Sequence, residues 1–376
     1  MPAGFAGIGS LAPDEVLPFS LWWRDQLAEG GFLAPSWPVR YGGRGLGPWA
    51  DVVIAEELAH RGLPEGAPND RFGIQMLGNT LLVHGSEAQR EEFLPAILAG
   101  ERRFAQGYSE PNAGSDLASL ALRGERDGDR YRLFGQKTWS SEAHLANWMF
   151  VLARTEPDAP RHRGISFMLV PLAQEGVEIR PIRMLSGRRE FNEVFFDGAT
   201  ARLDDVVGGP GGGWPVAMTL LGFERGAQVA TLPIRFEAEL ARLMTLAQER
   251  GIPLERLAAR ASELAALVAF GRRALEERAR GAERDGTAQI FKLAWSGYHQ
   301  RVTEDAVALL GEEALAPSGR GASSAFRTDD PGAPNSSQSW VDVWLHARAG
   351  TIYAGTSEIQ RSILGERVLG LAREPR

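Results

Sequence analysis

An α+β protein of several domains is the fold class this sequence predicts, and three observations predict it. Apolar residues recur at helical spacing near the start, short β-rich runs fill the middle, and long helical stripes return after a glycine-rich breaker. The chain has 376 residues, 44% of them hydrophobic. That is enough for about two to three domains of roughly 150 residues, each with a sizeable core. The expected boundaries are a helical domain over 1–103, a β domain over 104–207 and a helical bundle over 208–376.

The first region reads as helical from residue 14 to about 100. Leu17, Leu21, Trp22 and Leu27 give one apolar stripe. Val52, Val53, Ile54 and Leu58 give another after the Gly/Pro-rich stretch from Pro35 to Pro48, and Leu77, Leu81 and Leu82 begin a third. Pro95 is expected near the start of the next helix, where its missing N–H costs little.

From Phe104 to Leu203 the runs shorten. Tyr131 to Phe134 follows the turn signal Asp127-Gly128, and Trp148–Leu152, Ile165–Leu172, Val177–Ile182 and Val194–Phe196 have strand length. A small β-barrel or sandwich is expected.

After Gly208 to Gly213 a long helix starts near Trp214, with Pro215 suited to its first turn. Pro233 falls inside this helix and is expected to kink it. Leu254, Leu257, Ala261, Leu264, Val268 and Leu275 form one stripe, and Ile290, Leu293, Tyr298, Val302, Ala306 and Leu309 form another. Single stripes on long helices imply a bundle. Ser318 to Ser339, rich in Gly, Ser, Ala and Pro, reads as a loop.

Composition narrows the function. A formal charge of -7 leaves no basic surplus for a nucleic-acid partner. The absence of cysteine excludes disulfides and thiolate chemistry and suits a reducing compartment, so a cytoplasmic location is expected. No apolar run approaches the roughly 18 residues that span a membrane, and the N-terminus lacks a signal-peptide pattern. The six histidines are scattered without metal-ligand spacing, so no metal is expected.

Several runs carry candidate chemistry. SEPNAGSD, from Ser109 to Asp116, enforces a turn whose amides and hydroxyls can converge on one ligand, although an ordinary Gly/Asn loop has the same composition. GQKTWSS places Trp139 beside two serines; a Trp there is commonly core. The tail reads IYAGTSEIQR from Ile352 to Arg361.

In their order along the chain, APSWPVRYGG, SEPNAGSD, GQKTWSS, RGISFMLV, GWPVAMTLLGFERG and IYAGTSEIQR resemble the acyl-CoA dehydrogenase family over nearly the whole sequence. The resemblance implies a helical N-terminal domain, a middle β-barrel and a C-terminal four-helix bundle. It implies FAD as cofactor and removal of hydrogens from Cα and Cβ of an acyl-CoA or acyl-carrier thioester, a carboxylate taking the α-proton while the β-hydrogen leaves as hydride to flavin N5. It further implies electron-transfer flavoprotein as acceptor and a dimeric or tetrameric assembly.

Carried over residue by residue, the resemblance assigns Gln106, Tyr108, Ser109, Trp139, Ser141, Thr356 and Glu358 to the flavin. Ser115 falls to the pantetheine or phosphate arm of the substrate, and the amide of Ala354 or Gly355 faces the thioester. Many members carry the base as a Glu where this chain has Ala354, which cannot accept a proton. Others carry it within an L-x-x-E-R pattern on the first bundle helix, and here Leu221-Gly222-Phe223-Glu224-Arg225 places Glu224 at that position. A Glu-Arg pair on a helix is ordinarily a solvated face. Its neighbours Leu220, Leu221 and Phe223 argue for a partly desolvated one, with Arg225 steadying a phosphate.

The cofactor's far end departs from the family. The Arg-Phe-Gly element that binds a neighbouring subunit's pyrophosphate is replaced by Arg250-Gly251-Ile252, and the Gly-rich adenine segment by Leu310-Gly311-Glu312-Glu313. Arg250 is the one remnant. Three functions follow: an FAD-dependent dehydrogenase with Glu224 as base, a partner subunit holding half a site in a heteromer, or a flavin oxidase or monooxygenase on the same fold.

Overall fold

Helices, then strands, then helices follow one another along the computed structural model, which describes residues 11, 13–47, 49–187, 189–315 and 339–373, excepting the side chains of 13, 14, 225, 227, 228, 230, 278 and 279. The chain divides into two compact units, one of Ser20–Asp51 and Gly66–Glu224, the other of Met1–Phe19, Val52–Glu65 and Arg225–Arg376. The units interleave along the sequence.

Helix α1 spans Pro13–Glu29 and α2 spans Trp49–His60. Along α1 the buried positions are Val16, Phe19, Ser20, Arg24 and Leu27, whereas Leu17, Leu21 and Trp22 are 41%, 44% and 40% exposed. The expected stripe is therefore rotated. A buried arginine hides the true one: Arg24 pairs with Asp70 at 2.9 Å and donates to the Ile97 carbonyl at 2.8 Å, so its charge is satisfied inside.

A π-helical segment, Arg71–Gly78, runs into α3 (Asn79–His84), and α4 spans Glu87–Leu98. Ser86 and Gln89 form a capping box that starts α4 at Glu87. Pro95 thus falls within the helix near its end, not at its start.

The middle strands are β1 (Phe104–Gly107), β2 (Arg123–Asp127), β3 (Arg130–Ser141), β4 (Trp148–Arg154), β5 (Ile165–Pro171), β6 (Val177–Ile182), β7 (Phe191–Arg202) and β8 (Val206–Val207). They form an eight-stranded sheet ordered β6-β7-β3-β2-β4-β5-β8, with β1 pairing β4 in parallel. Alternation sorts β4 between two cores. Phe150 and Leu152 join Phe104, Phe167 and Leu220 in one, while Met149 and Val151 join Met168, Val194 and Leu133 in the other.

Helix α5 (Gly213–Glu249), which belongs to the first unit up to Glu224 and to the second from Arg225, is unbroken through Pro233; α6 (Ala258–Ala279), α7 (Thr287–Leu310), α8 (Trp340–Ala349) and α9 (Ser357–Ile363) follow in the second unit. The bundle core gathers Leu243, Leu264, Trp295, Tyr298 and Val302. On α7 the buried stripe is Phe291, Trp295, Tyr298, Val302 and Ala306 at spacings of three and four, which leaves Ile290 45% exposed. The expected Ser318–Ser339 loop lies outside the described residues except for Ser339, which N-caps α8 through its hydroxyl. Among the described residues no helix is long and apolar enough to cross a membrane.

Candidate active site

A buried ion pair joins two of the motif runs. Lys137, in GQKTWSS on β3, is fully buried and donates to Glu110 of SEPNAGSD at 2.7 Å and to the Tyr108 carbonyl at 3.0 Å. Glu110 also accepts from the amides of Ala121 at 2.6 Å and Leu122 at 2.9 Å. Beside them the Thr138 amide donates to the Ser109 carbonyl at 2.9 Å. Ser109 is consequently held against β3, with Gln106 half-buried on β1 just before it and Ser115 exposed farther along the loop.

Trp139 follows immediately, and it is not core. The β3–β7 register slips between Lys137 and Ser140, giving a bulge that re-aims the intervening side chains. Trp139 takes φ 57°, and its ring is 58% exposed with an edge contact to Phe191 at 5.9 Å. Ser141 is half-buried at the end of the same strand. Glu142 also has positive φ, 54°, and bonds Asn69, itself at φ 70°: the Asn69 amide donates to the Glu142 carboxylate at 3.3 Å and its side chain to the Glu142 carbonyl at 3.2 Å. The Trp139 strand is thereby tied to the start of the π-helical segment.

That segment brings Arg71 to Glu224. The guanidinium stands 3.6 Å from the carboxylate, whose side chain is only 15% exposed. Glu224 is therefore not on a freely solvated helix face. Tyr108 is close enough to feel its charge; burial first, then Glu224, push the phenol well above its ordinary range. The side chain of Arg225 lies outside the described residues.

The tail residues belong to the other unit. Between α8 and α9 the chain turns through two left-handed residues, Ala354 at φ 53° and Gly355 at φ 92°. Thr356 N-caps α9, its hydroxyl accepting from the Ile359 amide at 3.2 Å. Gln360, fully buried, donates to the carbonyls of Ala354 at 3.1 Å and Gly355 at 3.3 Å. With both carbonyls drawn to Gln360, planar trans peptides turn the amides of Gly355 and Thr356 the opposite way. Glu358 is exposed at 79% and pairs with Arg361 at 3.6 Å. Lys292 donates to the Gly350 carbonyl just ahead of the turn, its ammonium lying over the Trp295 and Tyr353 rings. Arg250, at the end of α5, is committed to Glu313 of the same chain.

The acyl-CoA dehydrogenase N-terminal, middle and C-terminal domain families match residues 13–101, 105–199 and 211–369. The chain is similar to the acyl-CoA dehydrogenase IpdE1 of Mycobacterium tuberculosis, 42% identical over 358 residues, covering 94% of this chain and 88% of that protein. This chain belongs to the acyl-CoA dehydrogenase family.

It is thus an acyl-CoA dehydrogenase, an oxidoreductase acting on CH–CH groups, from a family that uses FAD. Among solved structures it is similar to the Tcur3481-Tcur3483 steroid ACAD, with a TM-score of 0.81 and 28% identity over 98% of this chain and 91% of that one. It is likewise similar to the ChsE4-ChsE5 complex from Mycobacterium tuberculosis, with a TM-score of 0.76 and 28% identity over 98% and 94%. The residues present suit a flavin: an exposed indole on a left-handed bulge, beside a half-buried serine, is a platform that packing alone does not require.

Sequence reasoning passed over Arg71, Asn69, Glu110, Lys137 and Gln360. Glu110, Lys137 and Gln360 sat inside quoted motifs, where an acid, a base and an amide among small residues were the available signal. Nothing local marked Arg71 or Asn69.

Two predictions follow from this geometry. Burial lowers the pKa of Lys137 from 10.5 to about 8, with Glu110 opposing the shift. The unfolded chain therefore binds a proton between pH 8 and 10.5 that the folded chain has released, so stability rises with pH across that window and the burial cost is complete below it. Urea melts should show wild-type unfolding free energy gaining on the order of 2–3 kcal/mol relative to Lys137→Met from pH 7 to pH 10; a flat difference would refute the shift. At the turn, Gln360→Met should cost about 1–3 kcal/mol. Gln360→Glu should cost more, because it sets a carboxylate oxygen against two carbonyls, and equal losses would contradict the contact.

Proposed function

We propose that this chain catalyses FAD-dependent α,β-dehydrogenation of an acyl thioester, with Glu224 taking the α-proton. The observation that carries the reading is the placement of Glu224, a carboxylate 15% exposed and steered by Arg71 at 3.6 Å. Bound FAD supplies the hydride acceptor, N5, for the β-hydrogen, and electron-transfer flavoprotein then accepts the electrons. Trp139 packs against the ring system, while Ser109, Gln106, Ser141 and the backbone around Tyr108 border it. Thr356 and Glu358 complete the cofactor contacts, and Ser115 and Arg225 serve the CoA or carrier-protein arm.

The thioester oxygen takes a hydrogen bond from the backbone at Ala354 or Gly355. Alanine retains that amide, so losing a carboxylate at this position removes a base and keeps the electrophile. The small residues Ala354 and Gly226 favour a bulky or branched acyl group, and the steroid designation of the structurally similar Tcur3481-Tcur3483 points the same way.

Saturated acyl-CoA added anaerobically should bleach the 450 nm flavin band. Glu224→Gln should slow that bleaching by at least about 10²–10⁴-fold, the usual contribution of a general base. Bleaching at the wild-type rate in the variant would remove Glu224 from the role. Oxygen consumption with a reductant and no acyl-CoA would favour an oxidase or monooxygenase instead.

A heteromeric assembly is supported by a separate observation. Arg250, the remnant of the distal FAD site, is neutralised by Glu313, and the segment Gly311–Leu315 carries two acidic residues where a pyrophosphate and adenine would approach. Negative charge there repels a diphosphate. We infer that a different chain completes the distal half of the cofactor site, in line with the two-protein composition of the ChsE4-ChsE5 complex. Purified alone, the chain should hold well under one FAD per protomer, and co-expression with its partner should give about one FAD per pair. Full occupancy of the isolated chain, measured by absorbance against protein, would reject this assembly.

A further inference from the structure

Tyr108 bears a hydroxyl that its packing does not need. Its ring lies edge-on to Phe150 and Phe167, at 5.9 and 6.4 Å between centroids, and those two rings stack at 5.7 Å. A phenylalanine would make the same edge contacts without burying a polar group. The residue is only 5% exposed, yet its hydroxyl has no hydrogen-bond partner among the described residues. Buried polar groups left unpaired are costly and rare enough to require a reason.

Glu224 is the obvious acceptor, and it does not serve. A carboxylate is the strongest acceptor available, and a phenolic O–H rotates freely to meet one. The charge of Glu224 reaches Tyr108, but the carboxylate faces Arg71 and no bond to the hydroxyl forms. Glu224 thus leaves the hydroxyl without an acceptor. An acceptor supplied by a ligand satisfies the hydroxyl without moving either residue. Because Glu224 addresses the α-carbon, that acceptor belongs to the acyl group close to the reacting carbons. The thioester oxygen itself is assigned to the backbone of the Ala354 turn.

We infer that Tyr108 is a specificity-determining residue whose hydroxyl donates to an oxygen on the acyl group, so that the preferred substrates are acyl thioesters bearing a keto or hydroxyl oxygen near the carbons that lose hydrogen. The inference rests on the dehydrogenase reading with Glu224 as base. It assigns the side chain to substrate while the Tyr108 backbone, held by Lys137, stays with the flavin-side segment. A site built to hydrogen-bond a substrate oxygen discriminates strongly, because a plain hydrocarbon leaves its donor unpaired.

The test compares octanoyl-CoA with 4-oxooctanoyl-CoA, 5-oxooctanoyl-CoA and 4-hydroxyoctanoyl-CoA, using anaerobic flavin bleaching by FAD-loaded wild type and Tyr108→Phe. Wild type should favour at least one oxygenated probe by about 10- to 100-fold in kcat/KM, and the variant should bring that ratio to about one. Thermal melts without ligand supply a readout independent of turnover. Tyr108→Phe should melt about 1–3 °C higher, since it removes an unpaired buried hydroxyl. An unchanged ratio, including an equal loss with every probe, would overturn the inference by assigning the hydroxyl to Glu224 or the thioester. A lower melting temperature would mark it as structural and overturn it equally. Failure of every acyl-CoA to bleach the wild-type flavin would instead defeat the dehydrogenase reading beneath it.

Discussion

The pairing of Lys137 with Glu110 is the interaction on which the segments proposed to face the flavin depend. Two charges taken out of water cost several kcal/mol each unless their remaining donors and acceptors are met. Here they are: the ammonium reaches a carboxylate and a carbonyl, and the carboxylate also takes two backbone amides. A well-packed apolar pair could stabilise the fold as well. It could not, however, point the Tyr108 carbonyl, the Ser109 segment and the start of β2 toward one strand. What the pair contributes is position, and the residues it positions are those assigned to the flavin.

Strain is placed with the same economy. Among the described residues, Asn69, Trp139, Glu142 and Ala354 are the non-glycine positions in the left-handed region. Each costs about 1–2 kcal/mol and persists only where the surroundings over-determine it. The constraints are visible: Asn69 and Glu142 bond one another, Trp139 rides a bulge pinned by Lys137 on one side, and Ala354 is gripped by Gln360. All four fall in or beside segments that carry proposed functional residues.

This distribution explains how much was legible in the sequence. Strand positions, the order of helices and sheet, and the start of α5 followed from periodicity and breakers, which are local signals. The face of α1 did not, because Arg24 occupies a buried position and its counter-charge, Asp70, is distant in sequence. On α7 the stripe was nearly right, displaced at Ile290 by the larger aromatic neighbour Phe291. The motif runs supplied the candidate site residues, yet composition suggested a core Trp139 and a solvated Glu224, and both readings fail. Exposure of an indole and burial of a carboxylate depend on a bulge and on an arginine from another element. Periodicity carries neither.

The absence of a carboxylate at position 354 then has a physical account. That position has a left-handed backbone, and the service to the thioester proposed for this turn comes from peptide groups whose direction is set by Gln360 through two carbonyls. The side chain contributes nothing to that direction. An electrophile built from backbone is therefore separable from the base, and the base is free to come from any element that delivers a partly desolvated carboxylate. Glu224 on α5 meets that condition with Arg71 opposite it. On the proposed reading Arg71 orients the carboxylate until substrate arrives, and an acyl group that also satisfies the Tyr108 hydroxyl is the one best held with its α-carbon against Glu224.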